Sequence, residues 1–203
     1  SRGLGDVYKR QEERRLTVER NVPVDALYMA FHMCSRNHPD YYAFDMLSDL
    51  LSSGRSSRFV QHLVQDKQIF NSIDAYISGS IDNGLFHIVG KPAPEKTLEE
   101  AEKAIWEELA LLTEGSIDEN ELEKVKNRYE SEQIFNNLNY LNVATNLAYF
   151  ELIGKAEDIN TEVEKYRSVT QEQIKRAAKQ TFLPENCSVL YYKAAAKGAS
   201  HTP

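Results

Sequence analysis

The chain has 203 residues, of which 41% are apolar and 27% charged, a balance typical of a soluble globular protein of one or two domains. Its formal net charge of −7 repels a phosphate backbone, and no stripe of lysine and arginine offsets that charge locally, which excludes nucleic acid as a partner. No apolar run approaches the roughly 18 residues that a membrane span requires. No membrane span is therefore expected.

The first eleven residues fit none of the patterns that follow, because the run GLGDVYKRQ at residues 3–11 reads as a translated sequencing adapter. We expect residues 1–11 to be a non-native leader, residues 12–193 to form one domain, and the Ala/Lys/Gly/Ser tail at 194–203 to be disordered. The two cysteines, Cys34 and Cys187, are too far apart for a metal site and are predicted to be free thiols. This cysteine usage favours a cytoplasmic location and is also compatible with a periplasmic one.

Strands and helices alternate along the first half of the chain. Alternating apolar residues predict strands over 15–20 and 25–34, and helical spacing predicts a helix from Pro39 that ends at Gly54. A second helix is predicted over 57–67. Strands over 70–80 and 85–91 follow, joined by a hairpin turn at Asp82-Asn83-Gly84.

The second half is predicted to be mostly helical. A helix over 140–153 and a closing strand over 186–193 are expected, and Trp106 is predicted to lie in the core. Three capping boxes mark helix starts: Thr97 with Glu100, Ser116 with Glu119, and Thr170 with Gln173. The resulting order, β-β-α-α-β-β-α-α-α-α-β, predicts an α+β fold with an antiparallel or mixed β-sheet and helices packed on one face.

Three segments resemble the C-terminal half of a bacterial member of the M16 zinc metallopeptidases, the family of insulinase, pitrilysin and mitochondrial processing peptidase. They are LSSGRSSRFVQHLVQDKQ (51–68), SIDENELEKVKNRYESE (116–132) and SVTQEQIKRAAKQTFLPENCSVLYY (168–192). The resemblance covers residues 15–192 and implies one half of a LuxS/MPP-like metallohydrolase fold. In such a protein two similar halves enclose a chamber. The N-terminal half carries zinc in a His-x-x-Glu-His motif, and the C-terminal half is the non-catalytic wall.

The histidines of this chain agree with a non-catalytic half. None of His32, His38, His62, His87 and His201 stands in a His-x-x-Glu-His or His-Glu-x-x-His frame. A capping or otherwise satisfied role is favoured for His32 and His38, and a structural role for His87. No catalytic or metal-binding residue is therefore assigned, and the chain alone is expected to be inactive. The resemblance places zinc in the N-terminal half of the parent protein and none on this chain.

Two positions depart from the pattern of active members of the family. Those members carry an arginine in the helix after the Gly-Arg-Ser-Ser-Arg turn and a tyrosine seven residues later, which contact the peptide substrate. The corresponding residues here are Val64 and Asn71, so both groups are apparently lost. Gln65 and Asn71 retain amides that can hydrogen-bond a peptide backbone, although a solvated start of the strand is the favoured interpretation.

The turn itself contains Arg55 and Arg58. Pairing of both side chains with nearby acids or helix carbonyls is favoured over a clamp for substrate or phosphate.

Three functions remain open at this point. The leading hypothesis is the zinc-free C-terminal half of an M16 metalloendopeptidase, whose partners are an N-terminal catalytic half, on the same chain or as a separate subunit, and a peptide substrate. The second is a non-catalytic scaffold subunit that pairs with a separate zinc-bearing subunit. The third is an unrelated α+β protein that binds a small molecule. Dimerisation is left open.

Overall fold

The computed structural model describes residues 13–79 and 81–195. Five strands form one sheet in the order β1-β5-β2-β4-β3. β1 runs parallel to β5, and the other neighbouring pairs are antiparallel, so the sheet is mixed. The strands are β1 Arg14–Arg20, β2 Ala26–Ser35, β3 Phe70–Ser78, β4 Asn83–Pro92 and β5 Cys187–Ala194.

The α-helices are α1 Tyr41–Ser52, α2 Leu98–Glu114, α3 Glu119–Asn136, α4 Tyr140–Ile153, α5 Glu162–Arg167 and α6 Gln171–Thr181, joined by a π-helix at Phe59–Asp66 and 3₁₀ turns at Ala156–Thr161 and Pro184–Asn186. α1, the π-helix, α2 and α6 pack on one face of the sheet. No helix of the described residues packs on the other face, which we call the open face. The predicted α+β fold with helices on one face is therefore confirmed.

Buried and exposed side chains alternate along β2, so one face of the sheet is covered and the other is open. Leu27, Met29 and Phe31 are fully buried against the helices, while Tyr28 between them is exposed on the open face. On the covered side the ring of Phe31 packs edge-on against Phe182, 5.1 Å between centroids. The core thus lies between the sheet and the helix layer.

The helix termini follow the predicted signals in most places. Gly54, with φ of +89°, takes the left-handed conformation directly after α1, and glycine adopts it without a Cβ penalty. The capping boxes at the starts of α2 and α6 are present. The predicted box of Ser116 with Glu119 is wrong. Asp118 caps α3 instead, since its carboxylate accepts from the Asn120 N–H at 3.3 Å.

The remaining differences from the prediction are local. The second helix is a π-helix over a shorter range, and α5 was not predicted. Trp106 is half-buried, because its indole N–H reaches the Glu102 carboxylate at 3.2 Å at the rim of the core. Ala194, predicted to begin the tail, is the last residue of β5. The predicted leader and the remainder of the tail from residue 196 lie outside the described residues.

Cys34 and Cys187 are free thiols, as predicted. Burial raises the pKa of Cys34 to about 11, so its sulfur stays protonated at neutral pH. Within residues 13–79 and 81–195, no helix has the length and apolar character needed to cross a membrane.

Candidate functional site

Val64 and Asn71, which were predicted to replace an arginine and a tyrosine of active M16 members, lie in the wall of one hollow at the beginning of β3. Its volume is about 610 Å³, and its wall is formed by the end of the π-helix, the start of β3 and the loop after β4. The lining residues are Val64, Lys67, Gln68, Phe70, Asn71, Ala93, Pro94, Glu95 and Lys96. Gln65 does not line the hollow. Its side-chain amide donates instead to the Arg55 carbonyl at 3.4 Å.

The backbone around this hollow is irregular at three successive places. The Lys67 N–H donates to the His62 carbonyl at 2.9 Å, a bond that spans five residues and defines the π-helix. Gln68 follows in the left-handed conformation, with φ of +50°. Asn71 is then the extra residue of a β-bulge, because Phe70 pairs with Pro92 and Ser72 pairs with Lys91.

Asn71 lies at these irregularities and lines the hollow together with Val64. A bulge changes which side of the strand the following side chains occupy, and π-helical turns and bulges occur preferentially next to functional sites. β3 is also the edge strand of the sheet. The hollow is therefore open to an approaching chain.

The polar residues of the hollow's lining carry two ammonium groups, one carboxylate and two amides. Lys67 lies 3.5 Å from Glu107, and both side chains are about half exposed, so that ion pair is weak. Lys96 and Glu95 belong to the loop after β4. The hollow can hydrogen-bond peptide carbonyls or a carboxylate, but it lacks the planar fork that an arginine at residue 64 would provide.

Arg58 has a structural role, as predicted. Its Nε and Nη2 atoms each lie 2.9 Å from a different carboxylate oxygen of Glu121, and Nη2 also donates to the Ser116 carbonyl at 3.3 Å. This bidentate pair fastens the turn after α1 to the start of α3. For Arg55 the predicted pairing is wrong. Its side chain is exposed, without a partner in the described parts of the chain, because the turn directs it to solvent.

The histidines lie on separate elements. The His38 ring nitrogen Nδ1 accepts from the Asp40 N–H at 3.1 Å, the predicted capping role. His87 stacks on Tyr76 on the open face of the sheet, 4.9 Å between ring centroids. His201 lies outside the described residues. Across residues 13–79 and 81–195, no three His, Cys, Asp or Glu side chains come together to hold a metal ion. The described residues therefore do not fit a catalytic zinc centre, which needs three protein ligands.

A polar pair between a buried carboxylate and a partly exposed histidine was missed from the sequence. The Nδ1 atom of His62 lies 2.7 Å from Oε1 of Glu108, and Glu108 is buried in the helix layer with its other oxygen unpartnered among the described residues. Glu108 falls on the buried stripe of α2 between Ile105 and Leu112. A carboxylate on such a stripe is the signal that would have indicated a buried partner.

A second, apolar hollow of about 380 Å³ lies on the open face of the sheet. Its lining includes Leu16, Tyr28, Val89 and Leu190, which come from four different strands. An uncovered apolar sheet face of this kind is typical of a binding or assembly surface.

Comparisons with known proteins agree with this geometry. The family described as "Peptidase M16 inactive domain" matches residues 4–129. An uncharacterized zinc protease of Bacillus subtilis (strain 168), YmxG, is 25% identical over 170 residues, which are 83% of this chain and 41% of that protein.

Two solved structures show the same fold. A protease from Helicobacter pylori has a TM-score of 0.85 at 22% identity, and the match covers 91% of this chain and 45% of that one. A domain from Bordetella parapertussis described as an inactive peptidase domain has a TM-score of 0.78 at 17% identity, covering 91% of this chain and 98% of that one. The chain spans less than half the length of the Bacillus and Helicobacter proteins. It belongs to the family of M16 inactive peptidase domains.

Proposed function

We propose that this chain is the non-catalytic C-terminal half of a zinc-dependent M16 metalloendopeptidase. In this proposal it forms part of a chamber wall and helps to position a peptide for a zinc site in an N-terminal half. The observation that carries the proposal is the placement of Val64 and Asn71 in one hollow beside the edge strand of an inactive M16 domain. In this proposal the hollow is a substrate-contact site that lacks the arginine and the tyrosine expected at residues 64 and 71.

The open face of the sheet supports the role as a wall. Its apolar hollow, with Tyr28 and Leu190 in the lining, offers an unstructured peptide contacts with no strict side-chain requirement. The hollow at Val64 adds polar contacts at the edge of the same sheet. There the Asn71 amide and the Lys67 and Lys96 ammonium groups act as hydrogen-bond donors to peptide carbonyls.

Zinc would be supplied by the N-terminal half, where it would activate water for hydrolysis. The residues of this chain contribute binding and orientation only. Holding the peptide in one geometry lowers the entropic part of the barrier, so a wall without catalytic groups still affects the rate.

The proposal is tested by introducing an arginine at residue 64 and a tyrosine at residue 71. Val64→Arg with Asn71→Tyr, introduced into the native gene product, is expected to lower KM for an unstructured peptide by about tenfold, because one charge-assisted bidentate contact is worth roughly 1.5 kcal/mol. Gln61→Arg with Ser72→Tyr is the matched control, since both residues lie nearby but outside the lining of the hollow. Equal KM values for the two double variants would show that the peptide does not meet this hollow.

A scaffold subunit is the second candidate function. The replacement of an arginine and a tyrosine by Val64 and Asn71 favours it, because a domain that serves only assembly has no need of substrate contacts. It predicts that the native assembly retains its activity when the hollow is filled. A large substitution such as Asn71→Trp would then leave KM and kcat unchanged, whereas the leading proposal expects it to raise KM.

A further inference from the structure

The segment 133–150, which spans the end of α3 and most of α4, contains no charged residue although 27% of the chain is charged. Apart from Phe150, which is buried, its large apolar side chains are exposed or partly exposed. The most exposed ones are 61% to 91% exposed: Ile134, Phe135, Leu138, Tyr140 and Leu141. We call these five residues the uncharged surface.

α4 is attached to the rest of the protein by few contacts. Phe150 is its only buried residue, and the Asn37 side chain donates to the Ile153 carbonyl at 3.2 Å near the end of the helix. A hollow of about 300 Å³ separates α4 from the body of the domain, with Tyr129 and Asn146 in its lining. A globular helix normally turns its apolar side chains to its own core. The apolar residues of α4 are instead available to a partner.

The composition of this surface is that of an interface core. Such cores are depleted of charged residues and rich in aromatic and large apolar side chains, and a polar rim surrounds them. Here Phe135 and Tyr140 supply the aromatic groups, and ion pairs of Arg128 with Glu132 and Arg167 with Glu130 lie beside the segment. A membrane surface is a poorer fit, because binding to anionic lipid needs lysine or arginine and the segment has neither.

We propose that the uncharged surface is where the zinc-bearing half of the peptidase docks. This inference rests on the proposed function. The Bacillus and Helicobacter proteins are more than twice as long as the part that this chain matches, so each has a further region of comparable length that must pack somewhere. A second copy of this chain is disfavoured as the occupant, because each copy carries a net charge of −7 and the two copies repel each other.

The test measures how fast a maleimide labels a cysteine placed on the surface. Leu141→Cys is introduced in a Cys34→Ser background, both into the chain alone and into the native gene product purified through a C-terminal tag. The matched control is Leu111→Cys, an exposed leucine on α2 away from the uncharged surface. Leu138→Cys replaces Leu141→Cys if that variant does not fold.

Labelling at residue 141 is expected to be slower by about tenfold or more in the native preparation than in the chain alone, because an interface core excludes solvent. The Leu111→Cys rate is expected to be the same in both. Equal rates at residue 141 would overturn the inference. Labelling of the chain alone that becomes slower as its concentration rises would show that a second copy covers the surface. That result would also overturn the inference.

Zinc content and chelator-sensitive peptide cleavage of the same native preparation separate this inference from the proposed function. If the native preparation contains zinc and cleaves peptide, but residue 141 is labelled as fast as in the chain alone, only the docking of the zinc-bearing half on this surface is wrong. A preparation in which residue 141 is protected but zinc is absent defeats the proposed function, and with it the identity of the occupant.

Discussion

Asp49 on α1 has a pKa raised to about 6. Burial is the main cause, and the Asp45 carboxylate one helical turn earlier adds to it. The unfolded chain has the ordinary pKa near 3.8. The folded state therefore binds more protons between these two values, and the free energy of unfolding falls as pH rises through that window.

Asp49→Asn is expected to remove this dependence. The variant should be more stable than the parent at pH 7 by about 1 kcal/mol and should gain nothing at pH 4, because there the parent carboxyl is largely protonated when folded. Urea unfolding at a series of pH values from 4 to 8 measures the effect. Asp66→Asn, at an exposed carboxyl on the π-helix, is the control. If the free energy of unfolding changes with pH in the same way for the parent and for Asp49→Asn, the prediction is wrong.

Among individual residues, part of the candidate site could be predicted from the sequence. Val64 and Asn71 are identified by their place after the Gly-Arg-Ser-Ser-Arg turn, and the structure brings them together. The left-handed Gln68 and the bulge at Asn71 could not be predicted, because glutamine rarely adopts positive φ and the bulge depends on pairing with β4. Gln65 does not line the hollow, and its contact with a peptide backbone stays a prediction.

At the level of secondary-structure elements, a carboxylate of the helix layer bonds to β1, which also pairs with β5. Glu102 on α2 is buried and accepts from both Nη atoms of Arg15 on β1, at 2.8 and 2.6 Å. It also accepts from the Tyr191 hydroxyl on β5 at 2.6 Å and from the Trp106 indole. Burial raises the pKa of Glu102, but these donors outweigh it, so that the pKa lies below its ordinary value.

Glu102→Gln is expected to lower the free energy of unfolding by about 1 to 3 kcal/mol at pH 7, because the ion pair with Arg15 is lost and the glutamine amide has one acceptor oxygen where the carboxylate has two. Since the folded pKa is lowered, the carboxylate stabilises the protein above its unfolded pKa, and this contribution is lost as pH falls through the folded value. The difference between parent and variant should therefore shrink below pH 4. Urea unfolding measures it, with Glu99→Gln at an exposed position of the same helix as control. If Glu102→Gln and Glu99→Gln lower the free energy of unfolding equally, the hydrogen bonds of Glu102 do not stabilise the fold as we expect.

Elements with strong local signals were predictable, and short or irregular ones were not. The boundaries of α4 match its predicted range because Asn139 caps it and Gly154 ends it. α5 has only six residues, too few for a helical period to stand out. The parallel pairing of β1 with β5 joins the two ends of the domain, and no local pattern indicates it.

For the whole molecule, the order of the elements and the three family segments predicted an α+β fold of M16 type, and the family match and the fold confirm it. Which surfaces stay uncovered was not predicted. The apolar residues of α4 lie on all sides of the helix, so the sequence does not indicate which of them are exposed. The open face of the sheet and the uncharged surface together are features of a domain built to work against a partner.

The same argument predicts that the chain is inert when it is alone. Purified by itself and supplied with zinc, it is expected to retain well under one zinc ion per chain after dialysis and to cleave no peptide, because the described residues bring no three ligands together. Elemental analysis and a fluorogenic peptide assay measure both properties, and the native gene product, with and without a chelator, is the positive control. Stoichiometric zinc together with chelator-sensitive cleavage by the chain alone would place the active site within this domain and overturn its assignment as a non-catalytic half.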